Sequence, residues 1–140
     1  MTRSAMVIVA LWAVGGCGPS AEKPKGLPAY TDHYQMRITT DPTPARARER
    51  TTFKIVVRDK ATGQPIDGGE GLLYGNTRDP AVKVWDSFMA GAEPGTYYAN
   101  LHFVIAGDWY LALRFRRDST HKLEQVDWTQ SVYNATSEAP

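Results

Sequence analysis

With 140 residues and 16 Lys and Arg against 15 Asp and Glu, the chain has room for one domain with a real core. Its near-neutral balance gives no electrostatic case for nucleic acid or for an acidic partner. The single cysteine excludes an intramolecular disulfide. No G-x-S-x-G elbow, helically spaced histidine pair or phosphate-binding glycine loop occurs, so no catalytic motif is present. Asp108, Asp118 and Asp127 sit beside turns, where Asp ordinarily bonds the backbone, and the expectation is of a protein that is not an enzyme.

Residues 1–16 open with Arg3 and run apolar from Ala5 to Val14, too short to span a bilayer, which needs about 20 apolar residues. A basic start, a short apolar run and small residues make a secretory signal peptide. The sequence Val14-Gly15-Gly16-Cys17 resembles the bacterial lipobox, with Gly15 where Ser, Thr or Ala is more usual. The resemblance implies that Cys17 becomes the lipidated first residue of the mature chain, a strong anchor because each buried CH₂ adds about 0.8 kcal/mol. Gly18 follows, with no Asp to retain the protein at an inner membrane. The expected location is therefore the cell envelope, at the outer membrane facing the periplasm if two membranes are present. Removing residues 1–16 takes away Arg3 alone and leaves basic and acidic residues equal.

Residues 17–29, rich in Pro and Gly, read as a tether and residues 30–134 as the domain, with 135–140 a frayed tail. Tyr30 to Thr40 predicts a first strand with Tyr34, Met36 and Ile38 inward, ended by Asp41-Pro42-Thr43-Pro44. Ala45 to Arg50 reads as a solvated charged connector. Thr51 to Asp59 predicts a strand with Phe53, Ile55 and Val57 inward. A Gly-Pro turn follows, then a short strand at Leu72-Leu73-Tyr74 and another over residues 81–88. Residues 97–105 and 109–117 alternate apolar and polar around Ala106-Gly107-Asp108, which predicts an antiparallel hairpin. Its inward residues are Tyr97, Ala99, Leu101, Phe103, Ile105, Trp109, Leu111, Leu113 and Phe115. Leu123 to Tyr133 closes the series as an edge strand. Two large apolar faces need a second sheet to cover them. The fold class is therefore all-β: an immunoglobulin-like antiparallel β-sandwich of about seven or eight strands. Gly95-x-Tyr97 has the form of a tyrosine corner, whose hydroxyl bonds nearby backbone.

The segments Phe53 to Asp59, Gly63-Gln64-Pro65-Ile66, Gly95 to Ala99 and Ala106-Gly107-Asp108-Trp109 together resemble the YtkA-like/FixH-like family. The resemblance covers about residues 34 to 117. It implies a small extracytoplasmic immunoglobulin-like domain, often membrane-anchored, and an association of some members with copper delivery or respiratory oxidase assembly.

A Cu(I) site wants soft thioether and imidazole donors. The candidates are His33, Met36, Met89, His102 and His121, of which Met36 reads as core. His33, Met89 and His102 are the expected ligands if copper is bound; no other cofactor is implied, and no H-x-M or M-x-x-M pattern is present. Trp85, Tyr98, Tyr110 and Trp128 fall off the main core face, where aromatics stack on a sugar or anchor a protein partner, although Trp85 fits packing against the other sheet better. The leading expectation is an anchored accessory or binding domain, with the membrane and an envelope protein as partners. A copper chaperone and a protein- or glycan-binding module are its rivals.

Overall fold

A computed structural model describes residue 18, residues 25–79 and residues 82–135, and every structural statement concerns these. The signal peptide, Cys17, most of the tether and residues 136–140 lie outside them. Nine strands are described: β1 (Leu27–Tyr30), β2 (Tyr34–Asp41), β3 (Arg50–Asp59), β4 (Glu70–Asn76), β5 (Lys83–Ser87), β6 (Met89–Ala90), β7 (Thr96–His102), β8 (Gly107–Arg116) and β9 (Glu124–Val132). They form two antiparallel sheets, in the orders β1-β2-β3-β7-β6 and β5-β4-β8-β9, packed as an immunoglobulin-like sandwich.

Period-two alternation is why these segments take this form. Tyr34, Met36 and Ile38 of β2, Phe53, Ile55 and Val57 of β3, and Tyr97, Ala99 and Leu101 of β7 point into one core. Trp109, Leu111, Leu113 and Phe115 of β8 meet them from the other sheet. Rings interlock edge to face across the gap, with centroids 5.0 Å apart for Tyr34 and Phe115 and 5.5 Å for Tyr97 and Phe115. Each such side chain contributes about 1.5–3 kcal/mol by leaving water.

The expected hairpin is absent. β7 pairs with β3 and β6, whereas β8 pairs with β4 and β9, so the two strands lie in opposite sheets. Residues 103–106 arch over the sandwich edge instead of turning within a sheet. The apolar faces of β7 and β8 cover each other, and no third surface is needed. Phe103 meets Trp109 edge to face with centroids 5.0 Å apart, and the Trp109 indole donates to the Ile105 carbonyl at 3.1 Å, pinning the arch. Ile105, expected inward, is thereby turned out and exposed.

Three other segments differ from expectation. β1 begins at Leu27, inside the stretch read as tether, and its Pro28 is tolerated because β1 is an edge strand. The connector before β3 is not solvated throughout. Ala45 and Ala47 are buried, and the segment is held by Ala47 N–H to Tyr133 O (2.8 Å) and Tyr133 N–H to Ala45 O (2.9 Å). Between β5 and β6 the chain changes sheets at Phe88, whose N–H bonds Gly71 O at 2.9 Å. Asp86 secures the crossing by accepting the Asn100 N–H at 2.7 Å.

Gly95 takes φ +71°, and a Cβ there would stand 2.7 Å from the Val57 carbonyl oxygen, so only glycine fits. It delivers Tyr97 to the core, where the hydroxyl donates to Ile66 O at 2.5 Å and accepts from Gly69 N–H at 2.9 Å. The tyrosine therefore ties β7 to the loop before β4.

Candidate functional site

The outward positions of the second sheet are fixed by the same alternation that builds the core. Trp85 of β5 stands opposite Tyr74 of β4, which stands opposite Ala112 of β8. Tyr110 is two residues along β8 and opposite Asn76, a diagonal neighbour of Tyr74 within reach of a long side chain. Trp85 is 66% exposed and Tyr110 45%, so the packing of Trp85 under a loop or against the other sheet does not occur. Because Ala112 is small, the face dips there into a groove of about 520 Å³.

Along the groove the polar groups are already joined. Arg114 Nε donates to Gln125 Oε1 at 2.8 Å, and Gln125 Nε2 donates to Asp127 Oδ1 at 2.8 Å. Charges on this face balance: Lys83, Arg114 and Arg116 against Glu70, Asp108 and Asp127, with Arg116 paired to Glu70 at 2.7 Å. Planar apolar rings above a preformed row of hydrogen-bonding groups can hold a flat, uncharged or weakly charged surface.

Of the aromatics singled out from sequence, Trp85 and Tyr110 share this face. Trp128 pairs with Leu111 on the inward side of β9 and packs, half-buried, against the core, while it also contributes to the lining of the groove. The register of β9 against β8 decides this. Tyr98 belongs to the outer face of the other sheet, opposite Met89. Tyr74 was not singled out, since a short glycine-flanked strand shows too little alternation to assign its face.

The expected copper ligands are not brought together. His33 lies beyond the start of β2, with its carbonyl accepting Lys60 N–H at 2.9 Å. His102 is opposite Arg50 at the far end of β3, about 30 Å away at ~3.3 Å per residue. Met89 is opposite Tyr98, four residues from His102 and about 13 Å distant by the same rise. Zinc and copper bonds to such donors are about 2.0–2.3 Å, so these three residues cannot share an ion. Among the described residues no group of three or more His, Cys, Asp or Glu is arranged to hold a metal.

His33 instead pairs through Nδ1 with Glu124, which also accepts the His33 N–H at 3.1 Å. Burial raises the pKa of the Glu124 carboxyl, but bonds from Thr31 and His33 outweigh it and hold the group below its ordinary value. His121 bonds Asp118 at 2.8 Å, and Thr120 and His121 together hold that carboxyl far below the usual range. Both histidines thus serve as surface ties at the sandwich end.

No family model and no curated protein matches the chain. Several solved chains do, among them two structures of one protein. One is the as-isolated FetP of uropathogenic Escherichia coli, expressed recombinantly in the periplasm of E. coli. It has a TM-score of 0.54 and 13% identity over 79% of this chain and 95% of that one. The other is a copper-bound variant of the same protein, with a TM-score of 0.53 and 11% identity over 76% of this chain and 94% of that one. The likeness is one of fold.

Proposed function

We propose that the chain is a lipid-anchored extracytoplasmic protein whose immunoglobulin-like domain is a non-enzymatic accessory module of the YtkA/FixH-like type, acting by binding. The observation that carries this reading is the pair of exposed rings, Trp85 and Tyr110, on either side of half-buried Tyr74, beside a groove that Tyr74, Tyr110 and Ala112 line. Large rings left in water on an otherwise charge-balanced face are what a recognition surface requires. The lipobox-like sequence ending at Cys17 supplies the anchor, and FetP, expressed in a periplasm, supports an extracytoplasmic setting. A photoreactive residue placed at position 85 or 110 of the full chain in cells tests the face. Discrete adducts from both positions, lost on Tyr74→Ala, are expected; no adduct from either would overturn the reading.

Copper is the alternative, favoured by the copper-bound FetP variant. His33, Met89 and His102 do not fit it, for the reason of distance given above. Titration of the purified chain with Cu(I) under reducing conditions decides the matter: affinity no better than that of free Met or His ends the copper reading.

A further inference from the structure

The first sheet turns a different surface outward. Its outward positions include Arg37 on β2 and Arg50, Lys54 and Arg58 on β3, and Asp41 at the end of β2 is the one carboxylate among the described outward residues of these strands. The near-zero net charge of the chain hides this segregation, because the offsetting carboxylates, among them Asp32, Asp67, Glu93 and Asp118, lie in loops off both outer faces. Exposed apolar groups lie among the cations: Tyr30 of β1 is 61% exposed and Met89 of β6 is 58% exposed, with half-buried Val56 and Tyr98 between them. Among the described residues, Tyr30, Gln35, Met36, Val56, Arg37 and Arg58 line a groove of about 410 Å³, and none of these is a carboxylate. Arg58 donates to the Gly63 carbonyl at 3.0 Å, which orients the guanidinium without neutralising it.

Cations interspersed with exposed Tyr and Met side chains are the composition of a membrane-interface surface. The chain also enters the domain at this sheet, since β1 is its first strand. From Lys25 back to Cys17 the backbone spans at most about 30 Å even when fully extended. A domain tethered there stays close to the bilayer, and its cationic sheet is the one next to the tether.

We infer that the outer face of the β1-β2-β3-β7-β6 sheet docks on anionic phospholipid headgroups through Arg50, Lys54 and Arg58. The inference rests on the Cys17 anchor proposed above, and it deepens that reading by giving the domain an orientation. The two sheets face opposite ways, so docking on the first presents the aromatic face of the second away from the membrane.

The test uses residues 17–140 carrying Cys17→Ser. All nine strands and every described core residue lie between Leu27 and Val132, so this chain contains the whole sandwich. Flotation is measured with vesicles of phosphatidylcholine alone and with a 7:3 mixture, in parts of roughly that ratio, of phosphatidylcholine and phosphatidylglycerol. Binding is expected on the anionic vesicles only, and is lost near 1 M salt, where the screening length falls to about 3 Å. Lys54→Gln and Arg50→Gln should each weaken partitioning about fivefold. The double variant Lys83→Gln/Arg114→Gln, equal in charge to the Lys54→Gln/Arg50→Gln double variant but on the opposite face, should leave it within about twofold. Equal partitioning to both vesicle types overturns the inference, as does equal loss from both double variants. Displacement by inorganic phosphate at constant ionic strength would reveal a small-anion pocket instead and would also overturn it. Since no acyl chain is present, failure here is independent of whether Cys17 anchors the protein in cells.

Discussion

Replacing Tyr97 with Phe isolates the contribution of one hydroxyl to this sandwich. The ring stays in the core against Phe88 and Phe115, so no cavity forms. Two hydrogen bonds disappear: the hydroxyl's donation to Ile66 O and its acceptance from Gly69 N–H. The Ile66 bond is buried, so its carbonyl is left without a partner, at a cost of about 1–3 kcal/mol. The Gly69 amide is half-buried and partly rehydrates, adding about 0.5–1 kcal/mol. A loss of about 2–3 kcal/mol follows, read by urea denaturation at unchanged slope, with Tm lower by on the order of 10–15 °C. The phenol also gives a pH signature. Burial, followed by the Asp67 charge, raises its pKa above 10.0 in the folded chain, against the opposing Gly69 bond. Above pH 10 the unfolded phenol ionises first, so unfolding releases a proton and stability falls as pH climbs through the folded value. Tyr97→Phe should lack this portion of the alkaline decline. A loss below about 0.5 kcal/mol, with the alkaline limb unchanged, would refute the assigned role of the hydroxyl.

Gly95→Ala should destabilise by about 1–3 kcal/mol, because φ +71° and the Val57 carbonyl both exclude a Cβ; an unchanged denaturation midpoint would contradict this. Thr51 is fully buried and its hydroxyl has no hydrogen-bond partner, so Thr51→Val should be neutral or stabilise by about 1 kcal/mol, and a loss of that size would count against the assignment. Trp85→Ala should leave thermal unfolding nearly unchanged, since the ring is in water, while abolishing the adducts formed at position 110. Bonding to Arg117 holds the Asp59 carboxyl below 3.8, so the stability it contributes at neutral pH should fade as pH drops below that value; Arg117→Gln should flatten this acid limb.

Alternation alone identifies most of the core. The inward residues of β2, β3, β7 and β8 follow from period two alone, because side-chain direction is a local property of an extended chain. What alternation does not contain is the partner of each strand. β7 and β8 read as a hairpin because a glycine separates them, yet Phe103 and Trp109 satisfy each other just as well across the sandwich as along a sheet. β1 was hidden by Gly26 and Pro28, which mark a tether in sequence and are acceptable at a sheet edge.

The candidate surfaces were harder to read. Trp85 and Tyr110 were singled out, but their grouping with Tyr74 depends on the β5-β4-β8 register, a long-range quantity. That Trp128 both packs against the core and lines the groove depends on the same kind of register. The cationic face was invisible to a charge count, because Arg37 and the β3 cations become neighbours only once β2 and β3 pair. The separation of His33 from His102 likewise required knowing that they sit at opposite ends of β3.

The central claim, a binding domain held at a membrane by its first mature residue, is tested most directly at Cys17. Cells expressing the full chain and its Cys17→Ser variant are fractionated, and the chain is quantified in membrane and soluble extracts washed at high salt. The account predicts that the unsubstituted chain stays with the membranes and that the variant is released. A variant that remains in the membrane fraction to the same extent would contradict it.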